Sequence, residues 1–310
     1  MKPEIKYCFN FFIKCCIVFL GATLFAFGIS RAMPTSPVQI LLTSRQLPPT
    51  RENISFLEYE WGLDKSLPEQ YLIWTSRLIK GDLGVSMLTR QPVKTEFIKR
   101  LPYSIGIGLG GLLLGAALSF YLGYKAALKE RGCADFITRI FVIINQTVPV
   151  FILAVILIYF IGVKYKLLKI FTGNNGIKIT SAMLLIMFGN MGSLSRNVKS
   201  HFKKVTEESY FIFAVSRGFT VKKALLNEGC KPALIGLISL TISKCAWVIG
   251  GSAVMEFIFT IPGISFFLIE SIMRRDYNVI QAYIIAVAIW MFFVHFLLEF
   301  VLILLDRRQR

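Results

Sequence analysis

Residues 250–281 read GGSAVMEFIFTIPGISFFLIESIMRRDYNVIQ, and an apolar run follows to residue 305 before the basic end Asp306-Arg307-Arg308-Gln309-Arg310. Two membrane-length segments thus flank a short loop that carries Ile261-Pro262-Gly263 and Arg275-Asp276-Tyr277. A helix needs about 20 apolar residues to cross a bilayer, and arginines beyond it sit at the interface. The stretch predicts a multi-pass membrane protein whose last helix is held by a basic stop. It turns the question of function toward transport.

The rest of the chain agrees. Of 310 residues, 55% are hydrophobic and 17% charged, and the mean hydropathy is +0.62. A soluble domain carries about 25% charged residues. The net charge of +17 lies mostly beside the apolar runs, as membrane-flanking charge does, and no nucleic-acid motif accompanies it. Nucleic acid is therefore not an expected partner, and the lipid bilayer is. The six cysteines form no C-x-x-C pair, and none falls in residues 31–100. That argues against a metal or redox cluster and suits an external position for residues 31–100. The first apolar run, residues 11–29, has no A-x-A cleavage site and reads as a retained helix, with Lys14 snorkelling near its start.

Length and apolarity predict an all-α polytopic protein with about six transmembrane helices, at residues 11–29, 103–122, 136–163, 179–194, 233–259 and 280–305. The fourth reads as short and interrupted by Gly189 and Gly192. The basic segments 125–135 and 196–231 and the C-terminus are expected inside, with both termini cytoplasmic. Lys164, Lys166, Lys169 and Lys178 then face outside, against the trend. Three regions result: 1–30 with the first helix, 31–100 as an external helical subdomain, and 101–310 as the transmembrane core. Residues 31–100 are too long for a plain loop, and their apolar residues recur at helical spacing between Pro48-Pro49 and Gly81-Asp82.

Four features could carry function. In residues 208–234, Thr220 is placed to cap a short helix over 221–227 that ends at Gly229, with Arg217-Gly218 as a hinge before it. Such a helix either docks in a groove of a cytosolic partner or lies on anionic lipid. The glycines Gly106, Gly108, Gly110, Gly111 and Gly115 suit close helix approach, either within one subunit or against a partner permease. Glu256, Glu299, Lys244 and Asn145-Gln146-Thr147 are polar groups inside apolar runs. For Glu256 the favoured reading is a hydrogen bond that holds the Pro262-Gly263 turn, and the other is a pathway lining. Met183, Met187 and Met191 share one helix face, where packing is favoured over contact with a soft metal. His201 and His295 stand alone and make no metal site.

A wider set of residues points to one family. It comprises Tyr210, Ala214, Ser216, Arg217-Gly218, Thr220 and Gly229, then Gly250-Gly251-Ser252, Glu256, Phe259, Pro262-Gly263, Arg275-Asp276-Tyr277, Gln281 and Leu305-Asp306-Arg307. The N-terminal half adds Gly62-Leu63-Asp64, Gln70-Tyr71, Gly81-Asp82-Leu83-Gly84, Ser86, Pro92-Val93 and Arg100-Leu101-Pro102. Together they resemble the permease subunits of binding-protein-dependent ABC importers, in the dipeptide/oligopeptide/nickel branch. The resemblance departs at Ile212, Phe213 and Ala214, where many relatives carry an acidic residue and two alanines. It departs again at Pro232 and Gly236, where many carry Asn and Pro.

What the resemblance implies is a bacterial inner-membrane permease with a cytoplasmic coupling helix between the fourth and fifth spans. Tyr210, Ala214, Ser216, Arg217, Gly218, Thr220 and Gly229 would couple to the ATPases. Gly250, Gly251, Ser252, Glu256, Pro262 and Gly263 would line the pathway or gate. Gly106, Gly110, Gly111 and Gly115 would pack against a second, homologous permease. Two cytosolic ATPase subunits and an extracytoplasmic solute-binding protein complete the expected assembly. No cofactor or metal is expected on this chain, with ATP on the partner subunits, because no G-x-x-x-x-G-K-[ST] is present. The chain is not expected to be an enzyme. Leu47-Pro48-Pro49-Thr50 and Arg275-Asp276-Tyr277 with Val279-Ile280-Gln281 most resemble nickel-type permeases, so nickel or a nickel chelate is the expected solute, with di- or oligopeptides as the alternative. A self-contained secondary transporter or channel is more remote, since no internal repeat is evident.

Overall fold

The computed structural model describes residues 3–33, 36–44, 46–166 and 175–305. These residues are almost all helical, and among them the only extended pairing is an isolated bridge between Val85 and Pro92. Lys169 and the basic end at Asp306, Arg307, Arg308 and Arg310 lie outside the described residues. The helices are α1 (Pro3–Ala32), α2 (Pro37–Ser44), α3 (Arg51–Trp61), α4 (Leu67–Ile79), α5 (Val93–Leu128), α6 (Cys133–Thr147) and α7 (Val150–Leu157), which continues as a π-helix over Ile158–Lys164. After these come α8 (Asn175–Thr206), α9 (Ser209–Ser216), α10 (Val221–Cys245), α11 (Val248–Gly251), α12 (Ala253–Ile258), α13 (Ile264–Met273) and α14 (Tyr277–Leu305). Five are long and apolar enough to cross a membrane, and the bent pair α6–α7 makes a sixth crossing if it counts as one span. The chain forms two compact units, Met1–Pro102 with Ile264–Trp290, and Tyr103–Gly263 with Met291–Arg310.

In the first unit, α1 turns one stripe inward. Thr23, Ala26, Phe27 and Ser30 are buried while Ile17, Leu20, Leu24 and Phe25 are exposed, as suits a helix with lipid on one side. The stripe meets α4: Thr23 Oγ1 lies 2.9 Å from Tyr71 Oη, and Phe27 packs edge-on against Tyr71. The helices at 31–100 start where the sequence supplies caps. Thr50 accepts from the Asn53 N–H, and Ser66 with Glu69 forms a capping box. Gly62, at φ +66°, closes α3.

The same unit joins two distant motifs through one buried carboxylate. Asp276 is fully buried and accepts hydrogen bonds from Ser86 Oγ at 2.6 Å and from the Leu88 N–H at 3.1 Å. Asn278 Nδ2 donates to the Val85 carbonyl at 2.8 Å. Gly84, at φ +77°, lies against the Asn278 amide, where a Cβ would come within 3.0 Å. The Arg31 guanidinium sits over the Tyr277 ring at 4.9 Å. The Gly81–Ser86 and Arg275–Tyr277 motifs are thus two halves of one lock.

In the second unit, α8 is the central helix and packs against α6, α7 and α10. Cβ atoms built on Gly110, Gly111, Gly115 and Gly123 of α5 would run into Met183, Ile186, Met187, Ser195 and Val198 of α8. Gly110, Gly111 and Gly115 therefore admit α8 within this chain, which fills the space they leave. Gly106 meets nothing within 4 Å, and Gly108 faces Val248. Met183 and Met187 lie in these contacts and Met191 is buried, so the methionine face is packing. At the end of α6, buried Asp135 is held by Lys199 Nζ at 2.6 Å, Arg139 at 3.0 Å and the Arg131 N–H at 3.1 Å. Nearby, a hydrogen bond from Lys203 holds the Glu130 carboxyl below its usual range.

Four sequence expectations are corrected here. The third crossing is not one straight helix: α6 and α7 meet at 99°. Pro149 pushes Val148 into an extended conformation, φ −112° and ψ 115°, and lacks the N–H that would continue the helix. The fourth crossing is not short or interrupted, since α8 runs unbroken over 32 residues. Its Gly189 and Gly192 instead admit Val150 and the Phe141 backbone. The helix capped by Thr220 does not end at Gly229 or Pro232 but continues to Cys245. Gly229 lets Phe202 of α8 pack against it, and tertiary burial outweighs one proline in the run. The expected fifth span, in turn, stops at Cys245 and gives way to α11 and α12.

The glycine contacts predict a contrast between two variants. Gly111→Ala places a methyl 2.6 Å from the Met183 carbonyl oxygen, an overpacking that costs about 1–3 kcal/mol. Gly106→Ala meets open space and gains helix propensity of about 0.5–1 kcal/mol. Thermal unfolding in detergent should show a lowered midpoint for the first and an unchanged or raised one for the second.

Candidate functional site

The segment that joins α8 to α10 is built around a tight turn. At the end of α9, the Phe219 N–H donates to the Ala214 carbonyl at 3.3 Å and the Gly218 N–H to the Val215 carbonyl at 2.9 Å. This is the double bond pattern of a Schellman cap, which needs a left-handed residue, and Gly218 supplies it at φ +90°. Thr220 then caps α10 by accepting from the Lys223 N–H. The expected hinge at Arg217-Gly218 and the expected cap at Thr220 are both in place.

What this segment shows to its surroundings differs from the sequence expectation. Ala214 is buried, Gly229 lies under Phe202, and Ser216 Oγ donates to the Ile212 carbonyl within its own helix. Ala214 and Gly229 position the segment from within, while Ser216 is itself exposed. Tyr210, Ile212, Phe213, Phe219 and Val221 are exposed, beside Arg217, Lys222 and Lys223. Arg217 lies over the Phe213 ring and Lys223 over Phe219. The result is an apolar face ringed by cations, a surface suited to a protein partner. Partial burial, with Glu208 and Glu228 nearby, pushes the Tyr210 phenol up, so it stays a neutral hydroxyl. The missed residues had a signal: Ile212 and Phe213 are large apolar groups in a segment otherwise rich in charge.

The second site surrounds Glu256. Its side chain is fully buried, with Oε1 2.6 Å from Ser252 Oγ. The Ile261 N–H donates to the Glu256 carbonyl at 2.8 Å, and the Gly263 N–H donates to the Ile261 carbonyl at 2.7 Å. The Glu256 carboxylate presses against Gly263 so closely that a Cβ there would overlap it, and Ser104 Oγ lies 2.7 Å from the same point. The turn is tied to Glu256 through its backbone carbonyl, and the Glu256 carboxylate is packed against Gly263. Ser252, Glu256 and Gly263 come together. Gly250 and Gly251 are instead exposed, and a Cβ on either would meet nothing closer than Trp247 Cβ at 3.9 Å. They leave backbone open to close approach.

Among the other polar groups, Asn145, Gln146 and Lys244 line a cavity between α6, α8 and α10, while Glu299 is exposed on α14. No group of three or more His, Cys, Asp or Glu able to hold a metal occurs among the described residues.

Residues 105–310 match the binding-protein-dependent transport system inner membrane component family. The chain belongs to that family. It is 28% identical over 273 residues to the dipeptide transport system permease protein DppB of Lactococcus lactis subsp. cremoris (strain MG1363), covering 88% of each chain. It is 26% identical over 312 residues to the DppB of Escherichia coli (strain K12), covering 91% of each. It is 24% identical over 294 residues to the nickel import system permease protein NikB of Staphylococcus aureus (strain bovine RF122 / ET3-1), covering 95% of this chain and 88% of that one. The chain is an importer permease of the peptide/nickel branch.

The turn at Gly263 in this permease yields a coupled test. Gly263→Ala forces the Glu256 carboxylate aside and should lower the thermal midpoint. Glu256→Ala removes the obstacle, so the double variant should lose less than the two single losses added together. Additive losses in a double-mutant cycle would show that the two residues do not touch.

Proposed function

We propose that this permease forms one half of a solute pathway in a bacterial inner membrane, beside a second homologous permease. Two cytosolic ATPase subunits dock on residues 209–229, and an extracytoplasmic binding protein delivers the solute. ATP is bound and hydrolysed on those partner subunits. Both termini are cytoplasmic and residues 31–100 lie outside. The solute is nickel, free or chelated, or a short peptide. Relatives named for each class support both.

The observation that carries this reading is the joint between α9 and α10. Its Schellman turn fixes α9 against the start of α10 and leaves a cation-ringed apolar face uncovered by this chain. From the Thr220 cap, α10 runs unbroken for 25 residues, which is about 37 Å at 1.5 Å per residue. A push on the docking face therefore travels into the membrane as a rigid-body movement of a span. ATP-driven closure of the partners re-orients the pathway in this way, giving alternating access.

Gly218→Asp strains the left-handed position and adds a carboxylate beside the cationic face. The variant should insert normally while recovery of the ATPase subunits by pull-down drops roughly tenfold and uptake is lost. Equal recovery with normal uptake would remove residues 209–229 as the docking element. Orientation is tested separately, by single cysteines at Ser55 and Lys222 in a chain cleared of its own thiols. An impermeant reagent on intact cells should label the first and not the second.

A further inference from the structure

Helix α4 is apolar on two opposite sides, and the chain covers one of them. Leu78 clusters with Ala26 of α1 and Ile285 of α14, and Trp74 and Leu83 pack against that cluster. Phe27 of α1 meets the rings of both Tyr71 and Trp74. On the other side Leu72 and Ile79, two turns apart, are 66% and 73% exposed. A helix washed by water carries polar residues on its outward face. Here two large aliphatic side chains stand there, with Ser76 between them. The charged groups of α4 lie toward its ends. Glu69 is tied to the Ser66 cap. Arg77 and Lys80 lie in and just after the last turn, and such side chains are long enough to reach headgroups from within a leaflet.

What covers Leu72 and Ile79 follows from depth. The membrane-length segments of α1 and α14 are Ile13–Ala32 and Tyr277–Leu304. The Arg31 guanidinium over the Tyr277 ring brings the ends at Ala32 and Tyr277 to one level. At 1.5 Å per residue, Thr23 lies about 13 Å and Ala26 about 9 Å along α1 from Ala32, and Ile285 lies about 12 Å along α14 from Tyr277. All three touch α4, Thr23 through Tyr71 and the other two through Leu78. The hydrocarbon of one leaflet is about 15 Å thick, so α4 lies at the level of the acyl chains. The surface of α1 beside it agrees. Leu20 and Leu24, three residues before Thr23 and Phe27, are exposed and adjoin the contact with α4.

We propose that α4 is embedded in the leaflet at this end of α1, with Leu72 and Ile79 against lipid acyl chains. The subdomain at 31–100 is then partly a membrane-inserted element and not a wholly aqueous one. Helices that lie in a leaflet bury an apolar face by about 5–10 Å, which is the depth of these contacts. The inference rests on α1 and α14 being spans, and the leaflet is the outer one in the orientation proposed above. A binding protein arriving from water would have to displace acyl chains to reach this face, so lipid is the better match.

The test uses the complete complex in phosphatidylcholine nanodiscs, whose two faces are both open to water, so the result does not depend on orientation. Leu72→Cys and Ile79→Cys, each in a chain cleared of its own thiols, carry a nitroxide; both remove only exposed atoms, so assembly should be kept. Leu24→Cys on α1 is the lipid reference, and Lys94→Cys, exposed in the first turn of α5, is the water reference. Relaxation is measured with oxygen, which concentrates among acyl chains, and with a water-soluble nickel chelate. Labels at 72 and 79 should behave like the label at 24, with oxygen collisions severalfold above those of the chelate. Adding the binding protein should change neither. Chelate access at 72 and 79 equal to that at 94 would overturn the proposal. Chelate access that disappears when the binding protein is added would assign the face to that protein and overturn it as well. Free chelate access at 24 would instead remove α1 as a span, and the inference with it.

Discussion

The close approach of α8 to its neighbours is the constraint on which the transmembrane unit depends. Lipid is as apolar as leucine, so burial alone does not bring spans together. Helices in a membrane associate through dense packing and a few hydrogen bonds. Here the density comes from missing side chains. Gly110, Gly111, Gly115 and Gly123 on α5 and Gly229 and Gly236 on α10 each lie where a Cβ would strike α8 or its side chains. Ser119 Oγ, donating to the Met191 carbonyl at 3.3 Å, adds a polar tie across the same seam. Because the seam is this tight, the segment between α8 and α10 inherits a defined pose.

That pose gives the linking segment its mechanical character. The Schellman turn at Gly218 and the Thr220 cap satisfy the helix ends internally, so the exposed side chains of α9 stay available to a partner. A surface with its backbone already satisfied would lose little conformational freedom on binding a partner. The continuity of α10 past Gly229 and Pro232 connects that face to the cavity wall at Leu240 and Lys244. A short, separate loop helix would have been a looser lever.

In the other unit, polar rather than apolar contacts carry the specificity. Asp276 is buried, and the hydrogen bonds from Ser86 and Leu88 offset the cost of its desolvation. It fastens the turn between α4 and α5 to the first residues of α14, some 190 positions later in the chain. Glu256 does comparable work in the transmembrane unit, where its carboxylate and Gly263 fill one another's space. In both places an acid sits beside a glycine-bearing turn. The acid holds the turn, and the glycine gives it room.

Much was legible in the sequence alone. Apolar run length determined the helical membrane class, since only helices or closed barrels satisfy the backbone in lipid. Local chemistry determined the caps at Thr50, Ser66 and Thr220 and the turn at Gly218, because a cap depends on a few adjacent residues. The motif residues pointed to the family. What only the tertiary structure decided was partnership. Whether a glycine ends a helix or admits a neighbour depends on what lies opposite, so Gly189 and Gly192 read as breaks and proved to be contacts. The helix through Pro232 held for the same reason, because packing against α8 outweighed a local breaker. The glycines of α5 read as close-approach positions, and only the position of α8 showed which helix of this chain comes that near. The cavity with Arg196 and Lys244 joins residues from three helices far apart in sequence, and no local pattern records that convergence.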